Sequence, residues 1–437
     1  MSFEMTAYDY IIIGAGPGGY KLAAGLADRG LKVAIVEKDS LGGTCLNRGC
    51  IPTKCLCASA DVLTSAKEAS RFGVNCSGIS LDFSAVRARI AEVVSTLGEG
   101  VRALLAKTTV YNGEARLLGD RRVAVGDEIL DADKIVIATG SRPAILPVEG
   151  AEHALTSDEL LALENLPESI VIIGGGVIGI EFASVLNAMG VDVTVVEYCK
   201  EILPGFDSDI AKRLRTMLGR RGINFIVGAE VTAIRAEGKE VCYRNRKGED
   251  SVWADMSVMA VGRRAVLPEG IEDAGIELTS RGFIKVAPDM STSAPGIYAV
   301  GDVNGICMLA HAAYAQGHIV AGDESDVQVI PSAVFCKPEA AMVGLGEDEC
   351  KSLQIPCKSI KKTFASNGKA LAIGESEGVA KIVYNPENGY LLGFQIIGPH
   401  AADLIAECAA LLHCHASINQ LASLIHAHPT LSEVLAI

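Results

Sequence analysis

Residues 8–38 read YDYIIIGAGPGGYKLAAGLADRGLKVAIVEK and decide the fold of this chain. An apolar run leads into glycines spaced GxGxxG, and a helical pattern and a second apolar run ending in an acid follow. Residues 169–198, SIVIIGGGVIGIEFASVLNAMGVDVTVVEY, repeat this arrangement. The shared glycines and acids are Gly14, Gly16, Gly19 and Glu37 in the first copy, and Gly174, Gly176, Gly179 and Glu197 in the second. Two strand–helix–strand units of one kind are therefore predicted.

The glycine spacing has a specific physical meaning. The first glycine permits a tight strand-to-helix turn, the second lets the backbone approach a pyrophosphate, and the third lets the helix pack closely on the strand. The helix N-terminus offers unpaired N–H groups to the phosphates, and the acid accepts hydrogen bonds from ribose hydroxyls. A single such loop often has no ligand. Two copies, each with its acid at the same offset, predict two dinucleotide sites.

The residues around each acid indicate which dinucleotides bind. A carboxylate at Glu197 suits a free ribose 2′-hydroxyl and repels a 2′-phosphate. The segment that begins one residue later, YCKEILPGFD, has one lysine and no arginine to hold a phosphate. The second unit is therefore predicted to bind NAD rather than NADP. The first unit is followed directly by two cysteines, which suits a tightly held redox cofactor.

Residues 42–54, GGTCLNRGCIPTK, place Cys45 and Cys50 five positions apart. A disulfide needs Cα atoms about 4.4 to 6.8 Å apart, which a helical turn relaxed by glycines can provide. Arg48 and Lys54 add positive charge that would favour a thiolate. Three interpretations remain open from the spacing: a redox pair, cysteines that fill core space, and a metal or iron–sulfur site. The spacing C-x4-C-x4-C-x-C matches no common ligand pattern.

Size and composition exclude several classes of protein. A chain of 437 residues predicts two to four domains. A formal charge of −14 argues against nucleic acid and anionic membrane surfaces as partners. No apolar stretch reaches the roughly 18 residues of a membrane span. The start, MSFEMTAYDYIIIGAG, is typical of a strand rather than a signal peptide, so a cytoplasmic protein with mostly reduced thiols is expected.

The cysteine segment resembles the redox-active segment of the FAD-dependent pyridine nucleotide–disulfide oxidoreductases. It is most similar to the branch of that family that oxidises dihydrolipoamide. Further stretches resemble the family's motifs in the family's order along nearly the whole chain. These are KIVIATGSRP (134–143), AVGRR (260–264), STSAPGIYAVGDV (291–303), MLAH (308–311) and HAHPTLSEV (426–434).

The resemblance implies a fold and an assembly. The fold class is α/β, with two Rossmann-like dinucleotide-binding domains for FAD and NAD and a C-terminal α+β dimerisation domain. The implied boundaries are 1–145 for the FAD domain, 146–264 for the NAD domain, 265–325 for the return to the FAD and central domain, and 326–437 for the dimerisation domain. A homodimer is expected, in which the C-terminal segment of one subunit reaches the cysteine pair of the other.

The resemblance also implies roles for site residues. Cys45 is the interchange thiol that meets substrate, and Cys50 is the charge-transfer thiolate against the flavin. Lys54 and Glu181 pair near the reactive edge of the ring. No metal site is expected.

At the far end of the chain, His428 is a candidate base because imidazole titrates near neutrality. Glu433 would orient the imidazole and stabilise its charged form. Three other histidines are interpreted as structural: His413, His415 and His426.

A larger set is implied to contact the cofactors. It comprises Gly14, Gly16, Gly19, Glu37, Lys38, Gly43, Thr44, Lys54, Ala115, Thr139, Gly140, Asp302, Ala310, Gly174, Gly176, Gly179, Glu197, Val231 and Gly262. Within it, Asp302 would meet the ribityl chain of FAD and Ala310 would lie by the isoalloxazine. Gly113 and Ala115 would lie near the adenine.

The expected activity is oxidation of protein-bound dihydrolipoamide to lipoamide by NAD⁺, through the disulfide and FAD. The N-terminus shows no lipoyl-type domain, so substrate is expected to arrive on a lipoylated carrier protein. One alternative is a related NAD(P)H-dependent reductase of another disulfide or of a metal ion. Thr53, where glutathione-type enzymes carry lysine, and the ending VLAI, where mercuric-type enzymes carry paired cysteines, argue against it. Another alternative is a redox-inactive scaffold that binds FAD and NAD.

Overall fold

The computed structural model describes residues 6–437, with Thr6 described by its backbone alone. The strand predicted at the N-terminus is present from Thr6 onward. The first five residues of the chain lie outside the described part. The strands are β1 Thr6–Ile13, β2 Val33–Glu37, β3 Thr109–Asn112, β4 Ala115–Gly119, β5 Arg122–Val125, β6 Glu128–Ile137, β7 Ser141–Pro143, β8 Leu155–Thr156, β9 Ser169–Ile173, β10 Asp192–Glu197, β11 Asn224–Val227, β12 Glu230–Arg235, β13 Glu240–Asn245, β14 Gly248–Trp253, β15 Met256–Met259, β16 Arg263–Ala265, β17 Ile297–Ala299, β18 Ser332–Val334, β19 Glu339–Gly344, β20 Lys358–Thr363, β21 Val379–Tyr384 and β22 Leu391–Gly398. The helices are α1 Pro17–Asp28, α2 Gly43–Arg48, α3 Cys50–Glu68, α4 Phe83–Leu104, α5 Ser157–Leu161, α6 Val177–Ala188, α7 Ser208–Arg220, α8 Ala310–Val320, α9 Glu347–Ser352, α10 Gly368–Ala372, α11 Ala401–His413 and α12 Ile418–Ser423.

The chain divides into two compact units, each built from separate stretches of sequence. The first comprises residues up to 55, 84–144 and 263–327, and it contains the first dinucleotide unit. The second comprises residues 56–83, 145–262 and 328–437, and it contains the second dinucleotide unit and the C-terminal sheet. Within the described residues, no helix is long and apolar enough to cross a membrane.

The first unit is organised by a sheet in the order β3-β2-β1-β6-β5-β4, with β17 also paired to β6. Strands β1, β2, β3, β6 and β17 run parallel. The apolar run of β1 is buried because both faces of the sheet are covered, as parallel sheets require. Ile12 packs with helix α1 in one core, and Ile11 and Ile13 pack in the core on the other face.

The second unit repeats the pattern in the order β11-β10-β9-β15-β8, in which all strands are parallel. A separate antiparallel sheet, β18-β19-β22-β21-β20, lies near the C-terminus, and the core on which α11 packs includes residues of this sheet. The strands predicted from AKIVYN and LLGFQIIG correspond to β21 and β22, and the apolar helix that follows them is α11. The α/β fold class is confirmed.

A buried ionic cluster joins three elements of the second unit. The Nζ atom of Lys381, on β21, lies 2.7 Å from Asp207, 2.9 Å from Asp209 and 2.6 Å from Glu347. Asp207 precedes α7 and also accepts hydrogen bonds from the backbone N–H of Glu347 and Asp348, at the start of α9. Burial alone lowers the pKa of Lys381, but hydrogen bonds to the three carboxylates outweigh it and raise the pKa above its usual range. The lysine is therefore held charged inside the protein.

Candidate active site

The cysteine pair forms a disulfide between two helices. Cys45 lies in α2, Cys50 is the first residue of α3, and their Cα atoms are 4.7 Å apart. A Cβ atom at the intervening Gly49 would come within 2.9 Å of the Thr44 carbonyl oxygen, so the turn requires glycine there. The interpretation of these two cysteines as core-filling thiols is wrong. The described part of the chain holds no group of three or more His, Cys, Asp or Glu side chains placed for a metal ion.

The charges around the disulfide differ in part from the sequence-based expectation. Arg48 forms a salt bridge with Asp39. The carboxylate partly offsets the positive charge that Arg48 was expected to provide near the cysteines. The same hydrogen bond from Arg48 lowers the pKa of Asp39. Cys50 stands at the N-terminus of a 19-residue helix, where the helix dipole favours a negative sulfur.

The disulfide segment is attached to the first dinucleotide loop. The backbone N–H of Gly42 donates to the Ala15 carbonyl at 2.8 Å. A Cβ atom at Gly43, where φ is +59°, would lie 2.7 Å from the Gly16 Cα atom. The two segments therefore touch, backbone to backbone, within one unit.

The first dinucleotide loop has the predicted geometry. A Cβ atom at Gly14 would lie 2.4 Å from the Ala138 carbonyl oxygen, and one at Gly19 would lie 1.9 Å from the Gly14 oxygen. At Gly16, by contrast, no described atom lies within 4 Å of such a Cβ, which leaves open space at the start of α1. This is the space that a pyrophosphate needs.

The acid of the first unit is held by its own loop. Glu37 accepts hydrogen bonds from the backbone N–H of Ala15 at 2.7 Å and of Asp39 at 2.9 Å. Each carboxylate oxygen keeps a further lone pair for a ribose hydroxyl. The donor set therefore fits a dinucleotide.

The second loop repeats this arrangement. A Cβ atom at Gly174 would lie 2.4 Å from the Ala260 oxygen and one at Gly179 would lie 2.0 Å from the Gly174 oxygen, whereas Gly176 faces open space among the described residues. Glu197 is 6% exposed and accepts hydrogen bonds from the N–H groups of Gly175 and Cys199, both at 2.5 Å. A second dinucleotide fits here for the same reasons as in the first loop: there is open space at the start of the helix, and an acid is held by backbone N–H groups.

Other predicted cofactor residues of the first unit lie at the carboxyl edge of its sheet. Thr139 and Gly140 follow β6, and Asp302 follows β17, the parallel neighbour of β6. Asp302 accepts a hydrogen bond from the Ser141 hydroxyl at 2.5 Å, and the Thr139 hydroxyl donates to the Val266 carbonyl at 2.5 Å. Ligands of open parallel sheets bind at this edge.

The remaining residues that were predicted to contact a cofactor lie on several different elements. Lys38 pairs with Glu114 at 2.8 Å, Ala115 begins β4, and Ala310 begins α8. In the second unit Gly262 follows β15, at the same edge as Glu197. The Val231 side chain is buried in an apolar core, so its backbone is the part available to a ligand. Gly113 follows β3, and Thr44 lies in α2.

Of the residues predicted at the reactive edge of the flavin, Glu181 and Lys54 belong to different units. Glu181 lies in α6, is 5% exposed, and accepts a hydrogen bond from the Phe335 backbone N–H at 2.9 Å. Lys54 lies on α3, four positions after Cys50.

The histidine of the C-terminal segment is paired as predicted. His428 Nδ1 lies 2.9 Å from Glu433 Oε1, and 79% of its side chain is exposed. Glu433 Oε2 accepts a hydrogen bond from the Thr430 backbone N–H at 2.9 Å. This backbone hydrogen bond and the contact with His428 lower the pKa of Glu433. The Glu433 carboxylate therefore lies against Nδ1 of a largely exposed imidazole and fixes the orientation of its ring.

Comparison with known proteins shows what the chain is related to. The profile of the pyridine nucleotide-disulphide oxidoreductase family matches residues 8–317, and the dimerisation domain of that family matches residues 330–436. The chain belongs to this family. FAD and NAD are its cofactors, as predicted, and the predicted family resemblance is confirmed.

Individual relatives agree with this membership. A dihydrolipoyl dehydrogenase of Bacillus subtilis (strain 168) is 41% identical over 98% of this chain and 97% of its own length. One of Chlamydia muridarum is 38% identical over 98% of this chain and 96% of its own length. Among solved structures, the HOCl-induced flavoprotein disulfide reductase RclA from Escherichia coli is 28% identical, has a TM-score of 0.86, and is covered to 98% in both chains.

Two clusters in the second unit were not foreseen. The Lys381 cluster gathers residues from distant segments, and a single lysine in a strand carries no signal of burial. His426, interpreted as structural, forms a short contact with Glu407. The spacing of His426 and His428 was a signal that both imidazoles belong to one loop.

Proposed function

We infer that this protein is a dihydrolipoyl dehydrogenase, which oxidises dihydrolipoamide to lipoamide with NAD⁺ as the acceptor. One observation carries the inference: the segment that holds the Cys45–Cys50 disulfide is hydrogen-bonded, through Gly42, to the first dinucleotide loop of the same unit. A disulfide in that position is coupled to a cofactor rather than to the stability of the fold. The dihydrolipoyl dehydrogenases among the relatives support the choice of substrate.

The proposed sulfur chemistry balances on residues of this chain. His428 accepts the proton of one substrate thiol, and the resulting thiolate attacks Cys45. The Cys45–Cys50 bond breaks, a mixed disulfide forms at Cys45, and Cys50 leaves as a thiolate. The second substrate thiol then attacks the substrate sulfur bound to Cys45, and its proton passes to the departing Cys45 sulfur. Lipoamide is released, and the enzyme is left with Cys45 as a thiol, Cys50 as a thiolate and the first proton on His428.

When bound, FAD supplies the two-electron chemistry that connects the reduced cysteine pair to NAD⁺. The chain's own residues bind and orient it: the loop at Gly14–Gly19, Glu37, and the carboxyl edge of the sheet at Thr139 and Asp302. In this proposal Cys50 would serve as the charge-transfer thiolate, and Lys54 and Glu181, each from its own unit, would act at the reactive edge of the ring. Ionised residues there would stabilise charge that develops on the reacting groups.

We also propose the finer organisation that the sequence suggests. Residues 1–145 and 265–325 form the flavin and central domains, 146–264 the NAD domain, and 326–437 the interface domain. The match of residues 330–436 to the family's dimerisation domain supports a homodimer, in which His428 of one subunit serves the cysteine pair of the other. The substrate is carried by a lipoylated protein, and the enzyme acts in the cytoplasm.

The test is a cysteine substitution with a matched control. Cys50→Ser should abolish dihydrolipoamide oxidation and the long-wavelength charge-transfer absorbance, because no disulfide remains to accept electrons. Cys414→Ser, at an exposed free thiol, should change neither. Full turnover by the Cys50→Ser protein would contradict the assignment.

The same preparation separates the rival functions. Dihydrolipoamide, glutathione disulfide and mercuric ion should be assayed side by side with the wild-type protein. Faster turnover of either of the latter two would favour a reductase of another kind. Failure of NADH to bleach the flavin would favour the redox-inactive scaffold.

A further inference from the structure

His426 differs sharply from His428 although two positions separate them. The side chain of His426 is 8% exposed, whereas that of His428 is 79% exposed. His426 Nε2 lies 2.8 Å from Glu407 Oε1. Its other ring nitrogen, Nδ1, is buried and has no hydrogen-bond partner among the described residues.

This pattern is unfavourable if His426 serves packing alone. A buried polar atom without a partner destabilises the folded protein, and an apolar side chain of similar size would avoid that cost. The hydrogen bond between His426 Nε2 and Glu407 is therefore the one advantage that a histidine has over an apolar residue at this position.

Glu407 offers a rigid support for this bond. It lies in the 13-residue helix α11, whose Ile405 and Cys408 are buried in the core of the C-terminal sheet. The segment that carries His428, residues 424–430, has no regular structure between α12 and the short helix at Leu431–Leu435. Without an anchor, such a segment would sample many conformations.

The segment has a second anchor at its other end. The buried Asn367 side chain donates from Nδ2 to the Thr430 carbonyl at 3.0 Å. The Thr430 hydroxyl donates to the Ala427 carbonyl at 2.7 Å. His428 lies between the two anchors, so its backbone is fixed while its imidazole points outward.

We propose that Glu407 and His426 are positioning residues that hold the segment 424–430 so that His428 meets the substrate thiol in a productive orientation. The proposal deepens the proposed function and rests on it. Proton removal requires donor and acceptor within about 2.6–3.2 Å, so a loop that shifts by an ångström loses rate in that step. Displacements of that size can cost about 100-fold.

Half-reactions of the holoenzyme distinguish positioning from general stability. Reduction by dihydrolipoamide needs His428, whereas reduction by NADH involves no substrate thiol. His426→Phe and Glu407→Leu should slow reduction by dihydrolipoamide about 10- to 100-fold and leave reduction by NADH unchanged. The fall should appear mainly in kcat rather than KM, because the substrate's binding surface is unaltered.

Conservative variants provide the rescue. In Glu407→Gln the amide oxygen still accepts from His426 Nε2, and in His426→Gln the amide N–H still donates to Glu407, so both should retain most of the dihydrolipoamide activity. Asp403→Asn, on the same helix at a side chain that is 88% exposed, is the matched control and should behave as wild type.

Each outcome has one meaning. Wild-type rates in His426→Phe and Glu407→Leu would overturn the proposal, and so would equal losses of both half-reactions. If the Leu and Phe variants do not fold, the Gln variants decide. Their loss should be only a few-fold and confined to reduction by dihydrolipoamide. No loss in either half-reaction, or equal losses in both, would overturn the proposal. A wild-type protein that never reacts with dihydrolipoamide would instead refute the proposed function.

Discussion

Lys381 and Asp207 form an ion pair from which water is almost wholly excluded: Nζ lies 2.7 Å from Oδ2, and the side chains are 1% and 2% exposed. Asp207 lies just before α7, the helix that follows the second dinucleotide-binding repeat, and Lys381 lies in the C-terminal sheet. The pair therefore ties these two parts of one unit together through charge as well as apolar contact.

Removing the lysine should be strongly destabilising. Lys381→Met would leave Asp207 buried without its cation, and breaking a buried pair in this way costs about 3–5 kcal/mol. Denaturant midpoints measure the effect. Lys361→Met removes another lysine bound to Asp209, but at an exposed site, and should cost about 1 kcal/mol or less. Equal shifts of the denaturant midpoint in the two variants would show that the contribution of Lys381 to stability does not depend on its burial.

The same cluster should make stability depend on acid pH. The hydrogen bond from Lys381 lowers the pKa of Glu347, and bonds from Lys361 and Lys381 outweigh burial to lower the pKa of Asp209. A carboxylate whose pKa is lower in the folded than in the unfolded state stabilises the fold at any pH above its unfolded-state pKa. That contribution is lost as the pH falls through the folded-state pKa. Unfolding midpoints should therefore decline below about pH 4.5. In Lys381→Met this acid decline should be shallower, and an unchanged slope would contradict the assignment.

The second dinucleotide loop allows a paired glycine test. Gly176→Ala should fold with wild-type stability, because its Cβ meets no described atom, yet bind NAD⁺ more weakly because the methyl group enters the space of the pyrophosphate. Gly179→Ala places its Cβ 2.0 Å from the Gly174 oxygen and should destabilise the unit itself. Calorimetric NAD⁺ titration and thermal unfolding separate the two effects. Undiminished NAD⁺ affinity in Gly176→Ala would place the pyrophosphate elsewhere.

Cys199 should report on occupancy of the same site. It occupies the position that Asp39 occupies in the first repeat, and it donates through its backbone N–H to Glu197. Partial burial and a hydrogen bond to Glu197 raise the pKa of its thiol. Bound NAD⁺ should slow alkylation of Cys199 by N-ethylmaleimide, as followed by peptide mass spectrometry. Cys414, also exposed, should react at one rate with or without NAD⁺. Equal labelling of Cys199 in both conditions would argue against a ribose at Glu197.

The parts of this fold that were predictable are local in sequence. The first and third glycines of each repeat approach a neighbour within a few residues or at the end of the adjoining strand, and the second faces open space, so spacing alone indicated both loops. The disulfide was predictable only through the family resemblance, because the spacing of Cys45 and Cys50 by itself also fits core-filling cysteines. The Lys381 cluster was not, because its members come from strands and loops far apart in the chain. The pairing of Arg48 with Asp39 was not predictable, because exposed charges have many possible partners.

The turn between Cys45 and Cys50 has a consequence for how the enzyme resists side reactions. Both sulfurs are carried by helical backbone that begins or ends within a residue of Gly49. When the bond opens, each thiol still has the other as a neighbour at a high effective concentration. A small cellular thiol that captures one sulfur is therefore expelled by the other, and the enzyme returns to its working cycle without outside repair.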